Sequence, residues 1–287
     1  MRPRATQIIV AAMAWLDIGG TDIHYLDFGT GEPLLFLHGN GSSGLNWHQQ
    51  IDFFKDRYRV IAYDSINHGH SGNTPRNAPE PDRVDELEAV LAALGIEWPI
   101  LCGHSMGGST VVRWACRHPS SAMALVVSGS GVARSGSGAP RAAEPLPESE
   151  AFLPPSAGTF NEDWVRGHGR EMARYAQLRS TGTRLEAQRH PRQATAAGPS
   201  RDPAELEPLV KAIRSPLLAI VGRLDAALAS AEHLHELVPG ARLEVLDGNA
   251  HNEYYQSADE FNRRVAAFLD GAVRSAASVA AATSAGA

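Results

Sequence analysis

The sequence predicts an α/β fold, in which helices flank both faces of a mainly parallel sheet. Short apolar runs of strand length alternate along the chain with longer segments whose apolar residues recur at helical spacing, an order typical of parallel sheets. A Gly-x-Ser-x-Gly pentapeptide at residues 103–107 lies between one such strand and one such helix. With 287 residues, the chain can form one large domain that carries an insertion.

Strands and helices follow one another in a regular order from residue 23 onward. Apolar runs predict strands at residues 23–28, 33–37, 58–63, 98–102, 124–128, 217–221 and 242–246. Helical spacing is found at residues 45–55, 82–94, 109–117, 203–213, 230–238 and 258–269. The helix at 82–94 is the clearest, because its apolar residues recur every three or four positions and Gly95 follows it. Segments 1–130 and 203–271 are therefore expected to form the core of the domain.

The alternation fails between residues 131 and 202, where prolines, arginines and glycines are frequent and only 161–178 has a clear helical pattern. We expect this insertion to be a lid over the carboxyl edge of the sheet, because open α/β folds bind ligands at that edge. A surface excursion without a role in binding is the alternative. Both ends of the chain, an apolar run at 8–16 and an alanine-rich tail at 272–287, are expected to be poorly ordered.

Composition excludes several classes of function. The net charge is −6, with 26 lysines and arginines against 32 acidic residues, so cations are not in excess and we expect no nucleic-acid partner. No segment approaches the ~20 consecutive apolar residues that span a bilayer, so we expect a cytoplasmic protein without a membrane partner. The two cysteines are expected to remain free thiols. No metal-ligand cluster stands out among the 12 histidines, and neither a metal nor a cofactor is expected.

The serine of the pentapeptide, Ser105, is the candidate nucleophile. A strand that ends in Gly-x-Ser-x-Gly before a helix makes a turn so tight that the flanking residues must be small, and Gly103 and Gly107 meet that demand. Such a turn holds the serine hydroxyl exposed at the carboxyl end of the strand. The N–H groups of the following helix are then directed towards any negative charge that forms nearby. The pentapeptide alone is weak evidence, because glycine and serine are common in loops.

A serine hydroxyl needs a base to take its proton and an acid to orient the base. After a serine turn of this kind, both are expected later in the chain, with the acid first. Asp225 follows the strand at 217–221, and His251 lies between the last strand and the last helix. Both are expected at the sheet edge that carries Ser105. Asp247 is the rival acid, although its closeness to His251 in sequence favours a role in capping the loop.

Donors for a developing oxyanion are expected from two backbone segments. One is the N–H of Met106, directly after the nucleophile. The other is the N–H of Asn40, in the glycine-rich loop that follows the strand at 33–37. A phosphate cradle is the alternative use of this loop, but its spacing fits neither a P-loop nor a dinucleotide fingerprint. The residues predicted to contact substrate are Gly41, His104, Phe152 and Trp164.

Three motifs together resemble those of the α/β-hydrolase superfamily: residues 38–41, 64–71 and 103–108. The second resembles the family's Asp-x-x-Gly-x-Gly-x-Ser loop, with departures, since only Gly69 of its glycines is kept. The resemblance covers most of the chain outside its ends and the insertion. It implies an α/β-hydrolase fold and a serine hydrolase that cleaves a carboxylic ester or lactone through a Ser-His-Asp triad and an acyl-enzyme. Ser105 argues against the relatives with an aspartate nucleophile, the haloalkane dehalogenases and epoxide hydrolases.

Several alternatives stay open within this resemblance. The loop at 38–44 and the length of the lid are similar to those of acyl-homoserine lactonases of this fold. Other members cleave carbon–carbon bonds, thioesters or aminoacyl amides, and some bind a ligand without turnover. In the lid, Arg166, Arg170 and Arg174 recur every four residues. We expect a solvated stripe paired with nearby acids, the alternative being that one of them contacts a substrate carboxylate or lactone carbonyl.

Overall fold

The computed structural model describes residues 12–75, 81–134, 159–189 and 203–284 of the chain. The strands in these ranges are β1 (Ala12–Ile18), β2 (Thr21–Phe28), β3 (Pro33–Leu37), β4 (Arg59–Tyr63), β5 (Ile100–His104), β6 (Ala124–Ser128), β7 (Leu217–Gly222) and β8 (Arg242–Leu246). The helices are α1 (His48–Phe54), α2 (Arg83–Ala93), α3 (Met106–Arg117), α4 (Glu162–Gly167), α5 (Gly169–Arg189), α6 (Pro203–Val210), α7 (Leu228–Leu237), α8 (Glu253–Gln256) and α9 (Ala258–Ser284). A short 3-10 helix, Gly44–Trp47, precedes α1.

The strands form one sheet in the order β1-β2-β4-β3-β5-β6-β7-β8. β1 pairs with β2, and β2 with β4, in antiparallel register. All the other neighbouring pairs, from β4–β3 to β7–β8, are parallel. The mainly parallel sheet predicted from the alternation is confirmed. Because parallel strands end at a common edge, the loops that follow β3, β4, β5, β7 and β8 emerge there together.

The central strands are buried on both faces. In β3, Leu35 and Leu37 pack into the hydrophobic cluster that includes α2 and α3, whereas Phe36 packs into the cluster that includes α1 and α9. For this reason the strand is an unbroken apolar run rather than an alternating one. Trp47 lies fully buried between Phe36 and Tyr254, with ring centroids 4.8 and 4.5 Å apart. The segment that follows β3 is thereby fixed against the core.

The described chain begins with an edge strand and ends with a long helix. In β1, Leu16 and Ile18 pack against the core, whereas Trp15 and Asp17, which alternate with them, are exposed, Trp15 at 55%. This period of two marks a half-buried edge strand, so the prediction of poor order is wrong from residue 12 onward, while residues 8–11 lie outside the described residues. α9 extends to Ser284, into the alanine-rich tail that begins at residue 272. Alanine dominates the tail and has the highest helix propensity.

Neither α9 nor any other described helix is long and apolar enough to cross a membrane.

The structure describes the insertion at residues 131–134 and 159–189. The helix predicted at 161–178 is two helices, α4 and α5, which meet at His168. Glycines flank His168 on both sides, and glycine has a low helix propensity, which explains the break. α5 then runs on to Arg189, beyond the predicted end. The lid role of the insertion stays a prediction.

One buried carboxylate holds the loop after β4. Asp64 is 1% exposed, and its Oδ1 accepts a hydrogen bond from the Gly44 N–H at 2.7 Å. Its Oδ2 accepts one from the His70 N–H at 2.8 Å and pairs with His24 Nδ1 at 3.0 Å. Burial alone would raise the pKa of Asp64, but these hydrogen bonds outweigh it and hold the pKa well below its ordinary value. The loop departs from the glycine pattern of the family at Asn67, whose φ of 67° is left-handed, a conformation that asparagine tolerates.

We expect Asp64→Ala to lower the free energy of unfolding by about 3–5 kcal/mol, because it leaves buried donors without an acceptor. The stabilisation is present above the unfolded pKa of 3.8 and is lost as the pH falls through the lower folded pKa. Urea unfolding at pH 7 and at pH 3 measures both effects, and the gap to wild type should be smaller at pH 3. Asp56→Asn, at an exposed position, is the control and should change stability by less than about 0.5 kcal/mol. A loss from Asp64→Ala as small as that of the control would contradict the assignment.

Candidate active site

The serine turn joins β5 to α3 in a strained conformation. Ser105 has φ 53° and ψ −110°, a region that residues other than glycine rarely adopt. The flanking glycines permit the turn. A Cβ at Gly103 would lie 2.2 Å from the Gly107 carbonyl oxygen, and a Cβ at Gly107 would lie 2.2 Å from the Leu37 carbonyl oxygen on β3. The turn places Ser105 between the carboxyl end of β5 and the first residue of α3, as the pentapeptide predicts.

Two loops bring a histidine and an aspartate to this serine. Nε2 of His251, in the loop after β8, lies 3.1 Å from Ser105 Oγ. Nδ1 of the same ring lies 2.9 Å from Oδ2 of Asp225, in the loop after β7, and the other oxygen of Asp225 accepts a backbone N–H. The rival acid, Asp247, instead pairs with Arg223 at 3.0 Å, and its side chain is 84% exposed. The structure therefore brings Asp225, and not Asp247, to His251.

The predicted oxyanion donors come from two segments at the same sheet edge. Met106 is the first residue of α3, and N–H groups in the first turn of a helix have no partner within the helix. Asn40 lies in the loop after β3 and lines the same cavity as Ser105. Its Oδ1 is 3.3 Å from His68 Nε2, which ties the loop after β3 to the loop after β4. Gly41, with φ 67°, forms the turn beside Asn40 but is not among the residues that line the cavity.

Ser105 and His251 open into a cavity of about 190 Å³. Among the other predicted site residues, Asn40 and His104 also line it. Sequence reasoning missed the remaining lining residues, which are Gly39, Ser42, Thr159, Tyr175, Arg179, Asn252 and Tyr254. Two of them follow His251 closely in sequence, a signal that could have found them. Two others lie one turn apart on α5, a spacing that no catalytic motif marks.

One of the two lid aromatics predicted to contact substrate, Trp164, is not among the described residues that line this cavity. Trp164 lies outside its lining, and the Trp164 ring stacks on Phe160 at 5.3 Å and on His168 at 4.6 Å between centroids. This aromatic stack explains the apolar character of the segment without a ligand. Phe152 lies outside the described residues.

A buried polar network lies behind His251. His104 is 3% exposed, its ring centroid is 4.8 Å from that of His251, and its Nδ1 lies 3.1 Å from Ser128 Oγ. Ser128 Oγ donates in turn to Oε1 of the fully buried Glu253 at 2.7 Å. Burial lowers the pKa of His104 well below its ordinary value, and the neighbouring His251 acts in the same direction. Burial raises the pKa of Glu253 well above its ordinary value, against the opposing hydrogen bond from Ser128. Both shifts favour the uncharged form of the side chain.

One group of described side chains could hold a metal ion, and it lies outside the cavity. Donor atoms of His24, Asp64 and His70 are within 4.8 Å of one another. The sequence does not single out this trio, because its members come from β2 and from both ends of a loop. Both oxygens of Asp64 already accept backbone N–H groups, at 2.7 and 2.8 Å. These hydrogen bonds favour a structural role for the trio.

A family model described as the alpha/beta hydrolase fold matches residues 32–258, which span every element from β3 to α8. The chain is 38% identical over 109 residues to a non-heme haloperoxidase from Rhodococcus erythropolis, covering 38% of this chain and 40% of that protein. It is 36% identical over 129 residues to a cis-3-alkyl-4-alkyloxetan-2-one decarboxylase from Xanthomonas campestris pv. campestris, covering 42% of this chain and 40% of that protein. The chain thus spans about two fifths of the length of the curated relatives it matches.

Solved structures resemble the chain over most of its length. Est816, an N-acyl homoserine lactone degrading enzyme, superposes with a TM-score of 0.71 at 23% identity, covering 89% of this chain and 100% of that chain. At this identity the likeness concerns the fold. The match of the family model covers most of the chain and includes both the loop after β3 and the serine turn. The chain belongs to the alpha/beta hydrolase family.

Proposed function

We propose that this protein is a serine hydrolase that cleaves a small carboxylic ester or lactone through an acyl-enzyme. The observation that carries the proposal is the hydrogen-bonded line from Asp225 through His251 to Ser105, which ends in the cavity. A serine in contact with a base, and a base in contact with an orienting acid, activate a hydroxyl for attack on an acyl carbon. Membership of the alpha/beta hydrolase family supports the same chemistry.

Each group has a defined role in the proposed reaction. Ser105 Oγ attacks the carbonyl carbon of the substrate while its proton passes to His251 Nε2. Asp225 holds the Nδ1 proton of His251 and stabilises the imidazolium that forms. The N–H groups of Asn40 and Met106 bind the negative charge that develops on the carbonyl oxygen. His251 returns the proton to the departing alkoxide, and a water molecule then repeats the sequence to release the acid.

The cavity favours a compact substrate. Its volume of about 190 Å³ is below the range of ~300–1,000 Å³ that is typical of pockets for drug-sized ligands. Thr159, Tyr175 and Arg179, which belong to the insertion, line it. These contacts support a lid role for the insertion, in which it selects substrates. The proposed catalytic groups all come from outside residues 131–202, so the chemistry does not depend on the lid.

The uncharged network behind His251 suits a catalytic base. A charged His104 ring 4.8 Å away would repel the imidazolium that forms on His251 during the reaction. A neutral His104 avoids this repulsion. Burial likewise favours the neutral form of Glu253, which adds no second negative charge near Asp225. The network thereby supports the His251 ring without adding a charge next to it.

Asp225→Asn should lower kcat/KM for a short-chain p-nitrophenyl ester by roughly a thousandfold or more, because asparagine neither fixes the productive tautomer of His251 nor stabilises its imidazolium. Asp247→Asn is the matched control and should stay within about twofold of wild type, since exposed substitutions have small effects. Release of p-nitrophenolate measures both, with Ser105→Ala as the background.

Two outcomes would contradict the proposal. Turnover by Ser105→Ala at the wild-type rate would mean that another residue is the nucleophile. Labelling of wild-type Ser105 by a fluorophosphonate without turnover of any ester or lactone would identify a binding protein rather than a hydrolase.

Glu253→Gln should increase the stability of the fold at neutral pH. Since the folded pKa lies above the unfolded value of 4.5, Glu253 contributes fully below pH 4.5, and its contribution is lost as the pH rises towards the folded pKa. The loss is about 1.4 kcal/mol for each pH unit in that window. Glutamine keeps an oxygen that accepts the hydrogen bond from Ser128, and because it does not ionise, its contribution to stability does not fall with pH. Urea unfolding between pH 4 and pH 8 should show a gap that widens with pH, while the exposed control Glu232→Gln shows none. A gap that does not change with pH would show that Glu253 is charged in the fold.

A further inference from the structure

The cavity is lined by a cation that the proposed mechanism does not use. Arg179, on α5, lines it together with Ser105 and His251. The described residues that line the cavity include no aspartate and no glutamate. The guanidinium group therefore borders the space next to the nucleophile without an acid in that lining to neutralise it.

Tyr175 anchors this arginine. The two residues lie one helical turn apart on the same face of α5. Tyr175 is 1% exposed and is hydrogen-bonded with Arg179. Burial raises the pKa of the Tyr175 hydroxyl despite the opposing charge of Arg179, so the tyrosine stays protonated and leaves the positive charge of the arginine in place. The Arg179 charge also acts on Tyr254, whose ring lies 4.6 Å from His104. Arg179 is thus fixed close to the proposed catalytic groups.

Three other described arginines of α4 and α5 face solvent. Arg166, Arg170 and Arg174, the stripe that the sequence predicts, are all exposed. Arg166 forms ion pairs with Asp163 and with another acid of α4. This agrees with the solvated interpretation of the stripe. The arginine that lines the cavity lies five residues beyond it, at a position outside the predicted helix.

An arginine in a confined space whose described lining includes no acid is suited to an anion. Its guanidinium offers parallel N–H donors that match the two oxygens of a carboxylate, and such charged hydrogen bonds are stronger than neutral ones. The chain as a whole carries a net charge of −6, so attraction of an anion has to come from a local cation. We propose that Arg179 binds a carboxylate on the substrate, so that the preferred substrates are short esters or lactones that also carry a free carboxylate. This inference rests on the proposed function and names the substrate class within it.

The test compares two substrates that differ in charge and not in shape. One is monomethyl glutarate, and the other is its amide counterpart, in which a carboxamide replaces the carboxylate. Wild type should hydrolyse the anionic ester with a kcat/KM at least about tenfold higher, as expected for one charge-assisted pair. Arg179→Met should reduce this ratio to near one. Arg174→Met, an exposed arginine on the same helix, is the matched control and should keep the wild-type ratio.

A second variant guards against a loss of folding. Arg179→Lys keeps the charge but not the paired donors, and it should retain an intermediate ratio. Thermal unfolding and fluorophosphonate labelling of Ser105 show which variants are folded. The wild-type ratio is a test on its own, because equal kcat/KM values for the two esters would overturn the inference whatever the variants do.

The two proposals fail in different ways. Hydrolysis of both esters with a ratio near one, or a ratio that Arg179→Met leaves unchanged, overturns the carboxylate subsite while the serine hydrolase stands. Absence of hydrolysis of either ester and of p-nitrophenyl esters, together with no labelling of Ser105, overturns the proposed function and with it this inference.

Discussion

The close approach of α3 to β3 at the serine turn is the constraint on which the rest of the site depends. Without a side chain at Gly107, the first turn of α3 packs against the Leu37 carbonyl at the end of β3. β3 and β5 pair directly, with Leu37 opposite Gly103. The same contact therefore sets the position of Ser105 and of the loop that carries Asn40. Backbone packing thus fixes the position of the nucleophile relative to the proposed oxyanion donors. The backbone strain that accompanies it is found at Ser105, whose φ is 53°.

The side chains behind His251 and those that line the cavity differ in charge. Burial favours the neutral forms of His104 and Glu253 behind His251, and the carboxylate paired with the proposed base is that of Asp225. The cavity next to Ser105 is lined instead by the guanidinium of Arg179. A neutral support for the base and a cation for the substrate would let the site bind an anion without perturbing the proton transfer.

The parts of the site that follow directly from strand ends could be predicted from the sequence. In a parallel sheet, residues just beyond the carboxyl ends of strands share one edge, which is why Ser105, Asp225 and His251 could be chosen before the fold was known. The rest depends on tertiary contacts that leave no local pattern. Arg179 lies past the predicted end of its helix, and the His104 network joins residues far apart in sequence. The edge strand β1 is not predicted, because its exposed Trp15 is apolar and the alternation of buried and exposed residues therefore does not appear in the sequence.

A crystal structure of the protein after reaction with a fluorophosphonate tests most directly whether Ser105 attacks an acyl centre with its oxyanion held by the backbone. The phosphorus should be bonded to Ser105 Oγ, with its unesterified oxygen about 3 Å from the N atoms of Asn40 and Met106. His251 Nε2 should lie within hydrogen-bond distance of the Ser105 oxygen. Phosphorus on another residue, or an oxygen that contacts neither N–H, would contradict the proposed catalytic site.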